Sequence, residues 1–544
     1  MVGGVNLVEP PEWHDLLPCA SGEFVTGKLK ELLKLFAPPL TPINESFTQL
    51  RYVEAYANDC ECRSIAIESH YIDRDHMEDH SVFYSKSLFP YVNYCRRVHF
   101  FSVSVAEAQA RLKEIVTKGI RNGVEQYHTE CLNFSSSAYI GFAVIKPLGG
   151  SPVGRTVLKC FPEEPQELNN RRRFRRNFGC TRIYKAHFAG VELTVKGLAF
   201  QQQDVGVSAC ATTAIWTALQ QTSNHEEITA ATPAQITMLA AKYSLPFGRP
   251  MPSEGLSVDQ MCQSVQALGV APNLFRADDE AVARSYLYSA IKSGFAPVLI
   301  LSNPAVGEHA VAVVGMKVKS AFDPSIVSEG INDAAGNMIG LYIHDDRRGP
   351  YLRTEFATLT ETKASNKSDE ICQKKRLNLL ISSRRVSEKS EPETWQITHI
   401  LIPLHPKIRL AYPGLRVLAL RVVKEVLQLI ETHQIPSDEL PDPAITIDTW
   451  IVRAHKYVES LFLGVEDAVP DRITRLGTAI SLARYIGIIR ISAAYFDPID
   501  IIVDTTSTRS NVQFLAVVMV REAQAPTNLI SRYLAKILEC ELVE

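Results

Sequence analysis

No stretch of this sequence approaches the ~20 consecutive apolar residues that a membrane-spanning helix needs. The most apolar region, 296–316, is broken by Asn303, Pro304, Glu308 and His309. The opening residues, MVGGVNLVEPPEWHDLLPCA, lack the basic-then-apolar order of a secretory signal. An excess of one charge is missing too. A formal charge of −3 over 544 residues gives no global pull toward nucleic acid or an anionic membrane. The eleven cysteines form neither a doubled CxxC zinc pattern nor an even disulfide framework, so reduced thiols in a cytoplasmic setting are the expectation. Cys60 and Cys62, in NDCECRS, stand too close for the usual spacing of a zinc pair. GGSPVGRTVL has glycines near an arginine but no GxxxxGK[ST], which excludes a P-loop there. No internal repeat is visible.

What remains is a globular composition. Hydrophobic residues at 46% and charged residues at 22% allow a large core, and the length suggests several domains. The pattern divides into an N-terminal leader or docking segment (1–45), with a short helical piece in GKLKELLKLFAPPLTP, and a mixed α/β segment (46–195). A central segment follows (196–360), then a polar linker or excursion (361–395) and a second mixed segment (396–544). In the second segment, SVAEAQARLKEIVTKGI reads as an amphipathic helix capped by Ser104 or Ser102, and RSIAIESHYI and YIGFAVIKPL read as strands. The central segment predicts helices over 210–221, 233–244, 257–268 and 281–293, then strands in APVLILSN, EHAVAVVGMKV and GLYIHD. Helices followed by a strand set give an α+β order. In the last segment GLRVLALRVVKEVLQLIETH and DTWIVRAHKYVESLFL read as helices, and RYIGIIRIS, DIIVDTT and VQFLAVVMV as strands.

One constellation can carry chemistry. In QQQDVGVSACATTAIWTAL, Cys210 opens a helix, where orphan N–H groups and the helix dipole favour a thiolate. The small residues behind it let that helix pack closely. GEHAVAVVG puts His309 at the start of an alternating strand, and GLYIHDDRRGPY puts Asp345 and Asp346 at the end of another. A thiol nucleophile needs a base, and the base needs a group that fixes its tautomer. Strand parity does not choose between the two aspartates.

The order cysteine, histidine, aspartate, with the local forms QQD…SACATTA, EHAVAVVG and YIHDD, resembles papain-like cysteine peptidases. The likeness is to their bacteriocin-leader-processing branch and its soluble relatives, over about 160 of the 544 residues. The resemblance implies a central papain-like domain flanked by two mixed α/β segments in an α+β protein. It implies a peptidase acting on a peptide or protein substrate through a thioester. Cys210 would be the nucleophile, His309 the base, Asp345 the orienting acid and Gln203 the oxyanion donor, with Asp346 and Gln202 as alternatives for the last two roles. Three positions depart from the family pattern. Gln203 lies seven residues before Cys210, one more than is common; Ala211 replaces a glycine; Asp346 stands where a proline is usual. The resemblance implies no cofactor and no metal, and no attached exporter is present to suggest bacteriocin maturation itself. The same thioester would serve deamidation or transamidation, and a relative that keeps the fold only for binding is the non-enzymatic alternative.

Other features read as structural. His70, Asp73, His76 and His80 fall within ESHYIDRDHMEDH, but no glutamate completes a zincin pattern, and a solvated turn is the expectation. RRRFRRN reads as a solvated loop balanced by the acidic EEPQE before it, so nucleic acid is not expected as a partner. Asp497, Asp500 and Asp504 read as turn caps. The flanking segments are expected to serve specificity, regulation or docking of a partner protein.

Overall fold

The computed structural model describes residues 16–18, 29, 48–163, 174–204, 206–207, 209–226, 230–242, 255–319, 327–328, 331–357, 376–382, 392–432, 445–462, 474, 476–477, 480–508, 512–520 and 527–543. The helix expected in GKLKELLKLFAPPLTP lies outside these residues except for Leu29, which is buried and donates its backbone N–H to Glu54. Arg171, Arg172 and Arg173 and most of 361–395 also lie outside them.

The first unit comprises β1 (Leu16–Pro18), α1 (Thr48–Asp59), β2 (Ser64–Tyr71), α2 (Arg74–Val82), β3 (Cys95–Phe101), α3 (Val105–Asn122), α4 (Val124–Ala138), β4 (Tyr139–Ile145) and β5 (Val153–Leu158). Its five strands pair antiparallel in sequence order. Ser104 caps α3 by accepting the Glu107 N–H, and Ala108, Leu112 and Ile115 form the buried stripe that the spacing dictates. Beyond it come β6 (Phe174–Asn177) and a hairpin of β7 (Arg182–Phe188) and β8 (Val191–Gly197). The hairpin turns through Ala189 and Gly190 at φ 51° and 77°, the left-handed pair that matches strand twist in a two-residue turn.

The central part begins with α5 (Cys210–Glu226), α6 (Pro233–Ala241), α7 (Val258–Ala267), β9 (Ala271–Arg276) and α8 (Glu280–Lys292). It continues with β10 (Val298–Asn303), β11 (Gly307–Lys319), β12 (Val327–Ser328), β13 (Ile331–Asp333), β14 (Met338–Asp345), β15 (Gly349–Ala357), β16 (Asn378–Ile381) and β17 (Glu393–Leu404). Six of these strands close into an antiparallel barrel, β10-β11-β14-β15-β16-β17 and back to β10. Outside the ring, β6 lies on β11 and β9 on β17.

Two sequence expectations change here. The stretch expected as a linker over 361–395 supplies β16 and the start of β17, because LNLLI buries Leu379 and Ile381 in the barrel wall. Within RRRFRRN, Phe174–Asn177 is a strand rather than a loop, satisfied by the free side of β11.

The last part contains α9 (Tyr412–Thr432), β18 (Ile445–Arg453), α10 (Ala454–Phe462), β19 (Tyr485–Ala493), β20 (Phe496–Asp504), β21 (Phe514–Met519), α11 (Thr527–Ile537) and β22 (Glu541–Val543). The segment DTWIVRAHKYVESLFL, expected as one helix, is the end of a strand followed by a helix. Ile445, Ile447, Thr449 and Ile451 alternate inward, and that period of two belongs to a sheet. The sheet order is β12-β13-β18-β19-β20-β21-β22, so its first two strands come from the central segment, and β13 pairs parallel with β18. The protein is thus a mixed α and β chain with several sheets. One buried cluster joins them, running from Leu50 of α1 through Trp216 of α5 and the barrel interior to Leu534 of α11.

Candidate active site

Cys210 is the first residue of α5, and that helix is almost wholly interior: Ile215, Trp216, Ala218 and Leu219 are buried. The residues before it are held by hydroxyls. The Ala209 N–H donates to Thr212 Oγ1 at 3.3 Å, and Thr237 donates to the carbonyl of Val207 at 2.9 Å. The small residues Ala211 and Ala214 allow this close approach. Cys210 itself is partly exposed.

The α5 helix packs on β11, whose third residue is His309. Its imidazole Nε2 lies 3.0 Å from Asp345 Oδ1. With Nε2 donating there, Nδ1 is left for another group. It is buried, and no partner meets it at hydrogen-bonding distance among the described residues. The Cys210 thiol acts on the ring from the cleft that both side chains line. Burial opposes a charged ring, but the charge and hydrogen bond of Asp345, the thiol of Cys210 and the charge of Asp346 outweigh it. Together they hold the His309 pKa up at about 10.

The two aspartates have different surroundings. Asp345 ends β14, accepts the Arg347 N–H at 3.0 Å on Oδ1, and is paired through Oδ2 with Arg348 at 2.9 Å. Burial opposes its ionisation, yet His309, Arg348 and the Arg347 N–H hold its carboxyl well below the usual carboxylate range. Asp346 Oδ1 is 3.6 Å from His309 Nε2, and burial together with the Asp345 charge pushes its carboxyl up. Asp345 is therefore the carboxylate hydrogen-bonded to His309, and Asp346 a second carboxylate beside the same ring. Parity could not separate them because the strand ends at Asp345, with a register shift beside it, and both side chains leave from a turn.

The two glutamines separate as well. Gln202 is tied to the first unit: its N–H donates to the Val153 carbonyl at 2.9 Å, and its amide donates to Gly150 O at 3.2 Å. Gln203 lines the cleft with Cys210 and His309. The cleft encloses about 220 Å³, with Leu256, Val258, Met261 and Ile300 as apolar wall and Glu308 and Arg347 as its charged groups.

Sequence reasoning did not find the support behind the aspartate. Arg348 bridges Asp345 to Glu393 at 2.7 Å, and Glu393 accepts from Trp395 Nε1 at 2.9 Å. The Trp395 ring in turn packs 5.8 Å from that of His309. The only signal for this chain was the arginine pair following the aspartates, because Glu393 and Trp395 arrive on β17, within the stretch that looked like a linker.

His309, Asp345 and Asp346 offer ligand atoms within 4.8 Å of one another. The internal hydrogen bond of His309 to Asp345, and the guanidinium on Asp345, already account for that grouping. The histidines of ESHYIDRDHMEDH do not form a donor set. His76 and His80 share a face of α2, but their Nε2 atoms turn to the carbonyls of Val92 and Tyr91 at 3.1 and 2.9 Å. Asp500 is held by Arg490 and by the Tyr457 hydroxyl at 2.9 Å, in the interior of the last sheet. No family model matches the chain, and no curated protein matches it in sequence.

Proposed function

We propose that the protein is a cysteine-dependent acyl-transfer enzyme, a peptidase acting on a peptide or protein chain, with a papain-like division between a helical part and a barrel. The observation that carries this reading is the hydrogen bond from His309 Nε2 to Asp345 at 3.0 Å, with His309 and Cys210 lining the same open cleft. A merely structural histidine would have no need of a carboxylate on one nitrogen, a second nitrogen left without a partner among the described residues, and a cysteine in the same cleft. The helical part bears the nucleophile and the barrel bears the base and acid, which matches the family resemblance of the three motifs.

In this mechanism the proton of the Cys210 thiol already rests on His309 Nδ1 at neutral pH, and Asp345 holds the imidazolium in place. A positive ring against the sulfur favours the thiolate, which is the attacking species. Sulfur adds to the carbonyl carbon of the substrate, and the oxyanion is stabilised by the Cys210 backbone N–H and the Gln203 amide. Collapse expels the amine, which receives the proton from Nδ1, and leaves a thioester. Water, deprotonated by His309, then releases the acid. The apolar wall of Leu256, Val258, Met261 and Ile300 suits an apolar substrate side chain.

The test is alkylation by iodoacetamide, read on the Cys210 peptide by mass spectrometry, alongside cleavage of a mixed peptide library. His309→Ala should slow Cys210 alkylation at neutral pH, and Cys210→Ala should abolish library cleavage. Cleavage that persists in a folded Cys210→Ala protein ends the proposal.

A further inference from the structure

We propose that the first sheet unit completes this site: Asp204, gripped by Tyr84 and Lys146 of that unit, is a positioning residue that holds the Gln203 amide in the Cys210 cleft. The inference rests on the acyl-transfer reading and gives one flanking segment a role in it.

The described residues between Gln201 and Ala209 contain no strand or helix, so their geometry must come from side-chain ties. Asp204 closes a turn, its carbonyl accepting the Val207 N–H at 3.0 Å and its Oδ1 the Gly206 N–H at 3.0 Å. The same Oδ1 accepts the Tyr84 hydroxyl, which comes from the short turn after α2. Lys146, the residue after β4, brings its Nζ to 3.7 Å from Oδ2. Both charged side chains are almost sealed, at 3% exposure for Lys146 and 5% for Asp204. The approach is close: a Cβ at Gly206 would stand 3.1 Å from the Tyr84 hydroxyl. Burial and the neighbouring Asp204 charge raise the Tyr84 phenol, so it stays a donor across the working pH range. The charge of the same ammonium also acts on the buried Asp79 carboxyl of α2.

A buried ion pair of this kind adds little to stability compared with apolar packing, whereas it constrains position strongly. Here the constrained residue is the immediate neighbour of Gln203. Gln202 before it is tied to Val153 of β5, so Gln203, the one residue of the three that lines the cleft, leaves from a backbone held on both sides. The first unit thus sets the angle at which the amide meets a developing oxyanion.

Two reactions of the same thiol separate positioning from folding. Acylation by p-nitrophenyl acetate forms a C–S bond through a tetrahedral oxyanion and expels p-nitrophenolate. Alkylation by iodoacetamide displaces iodide and forms no oxyanion. Both are read on the Cys210 peptide by mass spectrometry. Loss of a single oxyanion donor slows acyl transfer by about 10²–10³. Tyr84→Phe and Lys146→Met, which loosen the donor without removing it, should each slow acylation about tenfold and leave alkylation within about twofold. In a Gln203→Ala background, Tyr84→Phe should add nothing. Equal losses in both reactions, or full acylation in Tyr84→Phe while Gln203→Ala is impaired, overturn the anchor. Unimpaired acylation in Gln203→Ala instead overturns the donor role on which the anchor depends. Should Lys146→Met fail to fold, Tyr84→Phe decides, since it deletes one oxygen.

Discussion

His309 is a buried imidazole beside two carboxylates, and its titration has a defined sign. Its pKa in the folded chain is about 10, against an ordinary 6.5. Between those values the folded protein keeps a proton that the unfolded chain releases, so stability falls as pH rises from about 6.5 to about 10. Below 6.5 the contribution is complete. His309→Gln should flatten that limb in urea unfolding measured across the interval, and an unchanged slope would mean the ring is not charged in the fold. Arg348→Met removes the cation that Asp345 and Glu393 share, leaving a buried carboxylate with one fewer donor. The expected outcome is a loss of about 3–5 kcal/mol in unfolding free energy, measured by chemical denaturation. The identities at this scale were legible: Cys210, His309 and the aspartate pair stand in short local motifs that require no knowledge of the fold. Asp345 and Gln203 were preferred to Asp346 and Gln202 on the family resemblance alone, because strand parity does not separate the aspartates and the different surroundings depend on where β14 stops and on a backbone tie to Val153.

Among the elements, α5 begins at Cys210 and is almost wholly interior. Trp216 has no exposure, and its indole lies beneath the Arg155 guanidinium at 5.9 Å. Trp216→Ala should cost about 3–5 kcal/mol in unfolding free energy, the range for a large buried aromatic. Strand β11 has a different constraint at Gly315, where β6 crosses. A Cβ there would stand 2.4 Å from the backbone oxygen of Asn177, and the register of β11 shifts at that point. Gly315→Ala is expected to destabilise by about 1–3 kcal/mol through overpacking, read as a lowered Tm. Elements with strong local signals could be read ahead of the structure, as Ser104 shows by capping α3 and Gly269, at φ 79°, by ending the turn after α7. Those defined by distant partners could not. Asn378–Ile381 is a strand only because β15 and β17 flank it. The part of that strand from Asp448 to Arg453 looked helical because its apolar residues run on into those of Tyr457 and Leu461.

At the scale of the whole molecule, the segments that seemed separable share one interior. Tyr351 of β15 donates to Leu158 O at 2.8 Å and accepts the Leu198 N–H at 3.0 Å, and its ring lies 5.3 Å from that of Tyr56. It holds a left-handed φ of 52° to do so, a conformation kept only where the surroundings fix it. Removal of residues 1–195 would bare this face of the barrel together with the Tyr84 and Lys146 contacts. The truncated chain should therefore fail to give a cooperative calorimetric transition; a sharp transition near that of the full chain would show the first unit to be dispensable. Length suggested several domains, but a shared interior was not legible, because no local pattern announces a core common to four sheets.

The parallel pairing of Ile331–Asp333 with Ile445–Ile447 bears on how the chain is made. The ribosome releases the earlier strand more than a hundred residues ahead of its mate, so for that interval a β edge waits beside a maturing barrel with its amides bare. Such a nascent edge is a template for intermolecular pairing. Slow elongation between these strands would lengthen its exposure, and aggregation during synthesis should track that delay more closely than it tracks the stability of the finished fold.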